Sequence, residues 1–142
     1  MDKSYNELKK DKESTAREIY EQYKKETPQS IKEKNFFNEA KKWSLFETEN
    51  FILFPNGFPI IDGMLLITSK KYIETLFEVS QYGFFEINLL IECAGRFLKQ
   101  VMNYKGYEIH IRQGENTGRS INRFHIHIVP GHNIEGSCFE YK

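Results

Sequence analysis

The segment RFHIHIVP, residues 123–130, contains two histidines and an arginine at every second position. This alternation of polar and apolar residues predicts a half-buried strand. Successive side chains of a strand point to opposite faces, so Arg123, His125 and His127 are expected on the same face. A neutral imidazole keeps a nitrogen lone pair at pH 7. One histidine could therefore attack an electrophile while the other donates a hydrogen bond to the atom that gains charge.

The residues before this strand suit the binding of an anion. Arg112, Arg119 and Arg123 are three of the five arginines in the chain, and no lysine lies between Gly106 and Tyr141. Arginine is a fixed, planar and permanently charged donor, which favours phosphate recognition. The glycine-bearing loop GENTGRS can bring backbone N–H groups close to the same anion. A simpler interpretation stays open, in which the two histidines lie on the exposed face of an edge strand.

A metal centre is the other chemistry that the histidines could support. The two histidines of the strand, together with His110 or His132, would resemble a cupin-like oxygenase centre. Three neighbouring arginines would repel a divalent cation, and Glu108 and Glu115 are the carboxylates at hand. We therefore expect no metal site, and the sequence requires no cofactor.

The elements that must position these residues begin near Trp43. Strand, turn and loop patterns alternate up to residue 68, and the segments 107–114 and 124–129 also have strand patterns. Between about residues 81 and 103 the apolar residues follow one stripe, which predicts the strongest helix of the chain. The sequence thus predicts an α+β fold, with an antiparallel sheet crossed by one long helix.

Residues 1–42 are expected to form a charged helical extension, with the main domain at 43–142. The extension holds 20 of the 40 charged residues, with mixed signs. Its apolar residues recur at helical spacing, and the Thr27-Pro28 pair should end the first helix. A second short helix is expected around Ile31–Lys42. Such an amphipathic extension could lie on the domain or on a partner.

Composition excludes several classes of protein. The formal net charge is zero, so we expect no nucleic-acid partner and no attraction to anionic membranes. The two cysteines have no CxxC spacing, which argues against a disulfide scaffold and a thiolate zinc site. No apolar run approaches the length of about 18 residues that a membrane span needs. The first residues do not resemble a signal peptide, and we expect a cytoplasmic protein.

Two segments of the chain resemble the histidine triad (HIT) superfamily. GRSINRFHIHIVP resembles the family signature, a Gly-Gln-Ser/Thr-Val segment followed by His-φ-His-φ-His-φ-φ, where φ is an apolar residue. FPNGFPIIDGMLLITSKKYIETL is similar to the upstream family segment F-x-D-x-x-P-x-x-x-G-H-L-L-V-I-P-K-x-H. The order of strands, helix and loops also agrees. The resemblance covers roughly residues 43–132 and implies a HIT-like fold.

The resemblance also implies an activity and a set of site residues. Members of the family cleave or transfer nucleoside phosphates through a covalent nucleotidyl-histidine. The resemblance makes His125 the nucleophile, and His127 the residue that binds phosphate and helps the leaving group. It implies that Ser120 donates a hydrogen bond to phosphate. Asn56 replaces the aspartate that holds the ribose hydroxyls, and Phe54 fits the apolar floor under the base.

Four residues depart from the family pattern. Arg123 replaces the first histidine of the triad, and Met64 replaces the histidine of the Gly-His-Leu-Leu segment. Arg112 and Arg119 replace an asparagine and a glutamine, and with Arg123 they are candidate phosphate ligands. In the family, the main-chain carbonyl of the first triad residue holds Nδ1–H of the nucleophile, so Arg123 can still orient His125. The two lost histidines are thought to work together, so their joint loss indicates a coupled remodelling. Two roles of Arg123 stay open: its guanidinium reaches phosphate, or it fills the space left where Met64 replaces histidine.

These features favour a nucleotide hydrolase or nucleotidyltransferase that acts at an α-phosphate through a nucleotidyl-histidine. Its substrate would be a nucleotide or a nucleotide conjugate, as in nucleoside phosphoramidases and dinucleoside polyphosphate hydrolases. The alternative is a non-catalytic nucleotide-binding protein of the same fold. Because many family members pair through the long helix and the neighbouring strand, a homodimer is expected.

Overall fold

The computed structural model describes residues 5–26, 33–57, 61–119 and 121–131 of the 142-residue chain. The helices are α1 (Tyr5–Lys25), α2 (Glu33–Lys42) and α3 (Gln81–Gln100), with a short 3-10 helix at Leu76–Glu78. The strands are β1 (Phe46–Glu47), β2 (Phe51–Pro55), β3 (Leu65–Ser69), β4 (Tyr107–Ile111) and β5 (His125–Pro130). Within these ranges no helix is long and apolar enough to cross a lipid bilayer.

The strands form one antiparallel sheet in the order β1-β2-β3-β5-β4. The α+β fold predicted from the sequence is therefore confirmed. Strand β5 pairs with β3 on one side and with β4 on the other. The interpretation of the two histidines as part of an edge strand is wrong, because β5 lies inside the sheet.

Helix α3 covers one face of the sheet and leaves the histidines on the other. Ser80 caps the helix by accepting a hydrogen bond from the backbone N–H of Gly83 at 3.0 Å. The apolar stripe of α3 packs against alternate residues of β5, Ile126 and Ile128, in the main core. Because side chains alternate along a strand, the polar face of β5 points away from α3.

The N-terminal helices pack on the domain, which is one of the two arrangements that the sequence left open. Helix α1 contributes Tyr20 and Tyr23 to the main core. The hydroxyl of Tyr20 donates to Asp62 at 3.1 Å, and Lys24 forms an ion pair with the same carboxylate at 2.9 Å. Helix α2 instead packs on the histidine face. The Thr27-Pro28 pair lies outside the described residues, and the boundary at residue 42 stays a prediction.

Candidate active site

The two histidines of β5 lie side by side on the face opposite α3. Their ring centroids are 4.9 Å apart, with an angle of 68° between the ring planes. His125 is buried and His127 is half-buried. The register of the sheet places Thr68 opposite His125, and places Leu66 and His110 on either side of His127. The strand alternation read from the sequence thus brings both predicted residues together.

A main-chain carbonyl fixes the ring of His125. The Nδ1 atom lies 2.7 Å from the carbonyl oxygen of Arg123, the contact that the resemblance implies. When Nδ1 carries the hydrogen of this bond, Nε2 keeps its lone pair. Burial lowers the pKa of His125 against the effect of this hydrogen bond, and the charges of Arg119 and Arg112 lower it further. His125 is therefore uncharged at neutral pH.

His127 is also uncharged in this environment. Burial lowers the pKa of its imidazole to about 3, and His125, Arg112 and His110 add to the effect. At neutral pH the ring can donate one hydrogen bond as a neutral N–H group, but it has no acidic proton to transfer. This property limits its part in any proton transfer.

The side chain of Arg123 joins the end of β3 to helix α2. Its Nε and Nη2 atoms donate to the carbonyl of Ser69 at 3.3 and 3.0 Å, and Nη2 also donates to the carbonyl of Lys70 at 2.8 Å. The guanidinium carbon lies 4.4 Å from the ring centre of Phe37 and 5.5 Å from that of Tyr72. These contacts favour a positioning role. Phosphate binding by Arg123 stays a prediction.

Met64 and Arg123 are not neighbours. The register of β3 against β5 places them at opposite ends of this strand pair. Met64 is buried, and its carbonyl accepts a hydrogen bond from the backbone N–H of Asn56 at 2.9 Å. The expectation that Arg123 occupies space left at Met64 is therefore wrong. Tyr72, which Arg123 does contact, aligns with the last histidine of the upstream family segment K-x-H.

Helix α2 covers the residue predicted to form the floor under a base. Phe54 is fully buried and meets the ring of Phe36 edge-on, with centroids 5.4 Å apart. The ring of Phe36 also lies 5.4 Å from that of His125. Asn56, at the end of β2, accepts a hydrogen bond on its carbonyl from the hydroxyl of Tyr23 in α1. One feature of the sequence could have indicated Phe36: it belongs to a pair of phenylalanines within a highly charged segment.

The loop between β4 and β5 brings two arginine side chains towards the histidines. Arg112 and Arg119 are half-buried, and both are close enough to lower the pKa of His125. Their guanidinium groups donate to main-chain carbonyls of Gly118, Glu74 and Asn122. A Cβ atom at Gly118, where φ is 81°, would lie 2.8 Å from Nη1 of Arg112, so this position favours glycine. Ser120 and His132 lie outside the described residues.

A third histidine extends the row towards the edge of the sheet. His110 lies directly opposite His127 across the β4–β5 pair. Its Nε2 atom is 2.9 Å from Oε1 of Glu108, two residues earlier on the same face. From the sequence, His110 was considered only as a possible metal ligand. The alternation of residues along β4 could also have indicated that it lies beside His127. In the described part of the chain, no group of three or more His, Cys, Asp or Glu side chains could hold a metal ion.

Comparison with known proteins identifies the family. The sequence model of the HIT domain matches residues 38–134 of the chain. This protein belongs to the HIT domain family. The matched region begins directly after Phe37, so the two phenylalanines of α2 that contact the site precede it.

Two relatives and one solved structure illustrate this membership. An uncharacterized HIT-like protein of Chlamydia trachomatis is 34% identical over 91 residues, which cover 61% of this chain and 78% of the relative. The bis(5'-adenosyl)-triphosphatase of Dictyostelium discoideum is 25% identical over 85 residues, which cover 60% of this chain and 57% of that protein. The structure of Plasmodium falciparum diadenosine triphosphate hydrolase has a TM-score of 0.61 at 20% identity, covering 88% of this chain and 86% of that one. This last likeness supports the HIT fold.

Proposed function

We propose that this HIT protein cleaves or transfers a nucleoside phosphate at its α-phosphorus, with Nε2 of His125 as the nucleophile. The observation that carries the proposal is the 2.7 Å contact between Nδ1 of His125 and the carbonyl of Arg123, which leaves Nε2 available. A relative named as a bis(5'-adenosyl)-triphosphatase supports a nucleotide or nucleotide conjugate as substrate.

The reaction takes place in two displacements. In the first, Nε2 of His125 forms a bond to phosphorus while the bond to the leaving group breaks. The product of this step is a nucleotidyl-histidine and the released leaving group. In the second, water or another acceptor attacks phosphorus, the P–N bond breaks, and the free imidazole returns. The neutral state of His125 supports the first step, because only the uncharged ring has a lone pair to donate.

Positive charge and hydrogen bonds stabilise the phosphoryl oxygens as negative charge develops on them. Arg112 and Arg119 supply the charge, and the N–H group of neutral His127 donates a hydrogen bond. Ser120 is assigned to the same oxygens by resemblance alone. In this scheme Arg123 has a positioning role. Its side chain ties α2 to β3, while its carbonyl orients His125.

The apolar part of the face, next to α2, is where we place the nucleoside base. Phe36, Phe54 and Leu66 belong to one buried cluster there. Phe36 meets Phe54 edge-on and all three side chains are buried, so binding of the base requires α2 to make room. We assign Asn56, directly after β2, to the ribose hydroxyls by resemblance alone.

A non-catalytic nucleotide-binding protein is the second candidate function. One observation favours it: His125 is 8% exposed and packs against Phe36, so an attacking position requires Phe36 to make room. Both candidates bind nucleotides, and turnover separates them.

The decisive experiment compares the wild-type protein with His125→Ala. Both are incubated with adenosine 5'-phosphoramidate and with diadenosine triphosphate, and quenched samples are examined by intact-protein mass spectrometry. We expect a nucleotidyl adduct and turnover in the wild type. The variant should bind nucleotide but lose at least about a thousandfold in rate, because it lacks the nucleophile. Wild-type rates in the variant would exclude the nucleotidyl-histidine, and binding without turnover in the wild type would support the second candidate.

A further inference from the structure

Helix α2 forms a small apolar cluster on the histidine face, separate from the main core. Phe36 and Ala40 of α2 pack there against Phe54 and Leu66 of the sheet. In the register of the sheet, Leu66 pairs with Phe54 on β2 and with His127 on β5. The cluster is therefore continuous with the row of histidines, at the place assigned to the nucleoside base.

The ring of Phe36 lies where the base would bind. Its centre is 5.4 Å from the ring centre of Phe54 and 5.4 Å from that of His125. Phe36 is 1% exposed, and His125 is 8% exposed. A nucleoside base is also a flat ring that packs on aromatic side chains, so it can replace Phe36 in these contacts but cannot share the space.

Helix α2 is held on the domain by few contacts. Within residues 36–42, Phe36 and Ala40 alone are buried. The ion pair between Lys42 and Glu26 is 3.5 Å long, and both side chains are about half exposed, so it adds little stability. A helix of 10 residues is also marginal in water without packing. The position of α2 therefore depends on the packing of Phe36 and on the contact of its neighbour Phe37.

Phe37 contacts a residue that departs from the family pattern. The guanidinium carbon of Arg123 lies 4.4 Å from the ring centre of Phe37, a distance at which a cation attracts an aromatic ring. The region that matches the HIT domain begins at residue 38, so both phenylalanines precede it. Two features that the family pattern lacks thus meet in one contact, which holds α2 on the histidine face.

Trp43 fixes the C-terminal end of α2. It follows the helix directly and is buried in the main core, where it meets the ring of Tyr23 edge-on with centres 5.6 Å apart. Because this anchor does not belong to the cluster on the histidine face, α2 can leave the histidines and stay attached at Trp43. A helix attached in this way competes with a ligand at high effective concentration.

We propose that α2 is an autoinhibitory helix: Phe36 occupies the base site, and a nucleotide binds by displacing the helix from the histidine face. This inference rests on the proposed function and concerns the control of the same site. The apparent affinity for nucleotide then equals the intrinsic affinity multiplied by the fraction of molecules in which α2 is displaced. The contact between Phe37 and Arg123 lowers this fraction.

Hydrogen exchange of the wild-type protein distinguishes displacement from binding beneath a fixed helix. Adenosine monophosphate is the ligand, at a concentration that saturates binding in calorimetry. Binding beneath a fixed helix slows exchange in Glu33–Lys42, whereas displacement exposes this short helix to solvent. We expect exchange there to become at least about tenfold faster when the nucleotide binds. Slower or unchanged exchange would overturn the inference and leave the proposed function intact.

Phe36→Ala tests the inference through affinity and kinetics. The variant should bind adenosine monophosphate at least about tenfold more tightly than the wild type, because more molecules have an open base site. KM for adenosine 5'-phosphoramidate should fall by a similar factor. The value of kcat should stay within about twofold, since saturating substrate displaces α2 in the wild type as well. Phe46→Ala is the matched control: it removes a buried phenyl ring from the main core at β1 and should change neither constant.

The remaining outcomes are also decisive. Weaker or unchanged binding in Phe36→Ala would overturn the inference. Equal tightening in Phe46→Ala would do the same, because it would indicate a general loosening of the fold. If Phe36→Ala does not fold, the exchange experiment on the wild type decides alone. If neither the wild type nor Phe36→Ala binds adenosine monophosphate, the proposed function fails together with the inference.

Discussion

At the scale of single residues, the site depends on keeping two imidazoles uncharged. Burial is the main cause for both rings, and the neighbouring arginines add to it. A charged imidazole would lose its nucleophilic lone pair and would repel Arg112 and Arg119. The same environment that keeps His125, the proposed nucleophile, uncharged therefore has a cost when the protein is acidified.

This cost predicts how stability varies with pH. The pKa of His127 is about 3 in the folded protein and about 6.5 in an unfolded chain, so between these values the unfolded state binds more protons. Its contribution is complete above pH 6.5 and is lost as the pH falls towards 3, by at most about 1.4 kcal/mol per pH unit. Urea unfolding at neutral pH and at about pH 5.5 should show a shallower pH dependence in His127→Gln than in the wild type. Equal slopes would contradict the neutral buried state of His127.

The arginines of the β4–β5 loop predict a dependence on phosphate charge. If Arg112 contacts phosphate, Arg112→Gln should weaken binding of adenosine triphosphate by about 1.5 kcal/mol, the value of a hydrogen bond to a charged group. Binding of the monophosphate should change less. Arg96→Gln is the control, because Arg96 lies on α3, where it pairs with Glu92. Calorimetry measures both, and an equal loss in the control would remove the specific role of Arg112.

At the scale of secondary structure elements, sequence patterns predicted the strands and α3 but not the contacts of α2. Alternation along β5 and the apolar stripe of α3 are local features, so each could be read from a few neighbouring residues. The contact between Phe37 and Arg123 joins positions 86 apart in the sequence, and no local pattern encodes it. For the same reason, comparison with the family motif identified Arg123 as a departure from the family pattern but did not indicate which residues its side chain contacts.

The hydrogen bonds and ring contact of the Arg123 side chain predict that a change at Arg123 affects both α2 and His125, the proposed nucleophile. Arg123→Lys keeps the positive charge but loses the forked donation to Ser69 and Lys70. We expect faster hydrogen exchange in Glu33–Lys42, a lower kcat, and a free energy of unfolding reduced by about 1 to 3 kcal/mol. Arg17→Lys, on the exposed side of α1, should change none of these. Unchanged exchange in α2 with loss of polyphosphate affinity would make Arg123 a phosphate ligand instead.

At the scale of the whole molecule, helix α2 packs on the histidine face, whereas the apolar side of the edge strand β4 is partly exposed. Strand β4 is at the edge of the sheet, and among the described strands it pairs with β5 alone. Its residues on the α3 side are large and apolar, yet they are 37% to 43% exposed: Tyr107, Ile109 and Ile111. Natural proteins seldom leave an apolar edge strand uncovered, because such an edge pairs readily with another chain.

This edge supports the homodimer expected from the family resemblance. We predict that Ile109→Lys converts a dimer to a monomer in sedimentation equilibrium, because a charge would be buried at the centre of the interface. Phe77→Lys is the matched control: Phe77 is 97% exposed in the 3-10 helix, which is not part of the sheet, and should leave the mass unchanged. Ile109 points to the α3 side of the sheet, so the monomer should still bind nucleotide on the histidine face. A wild-type monomer would contradict the predicted dimer. A dimer that survives Ile109→Lys but not Phe77→Lys would place the interface elsewhere. The exposure of β4 would then need another partner to explain it.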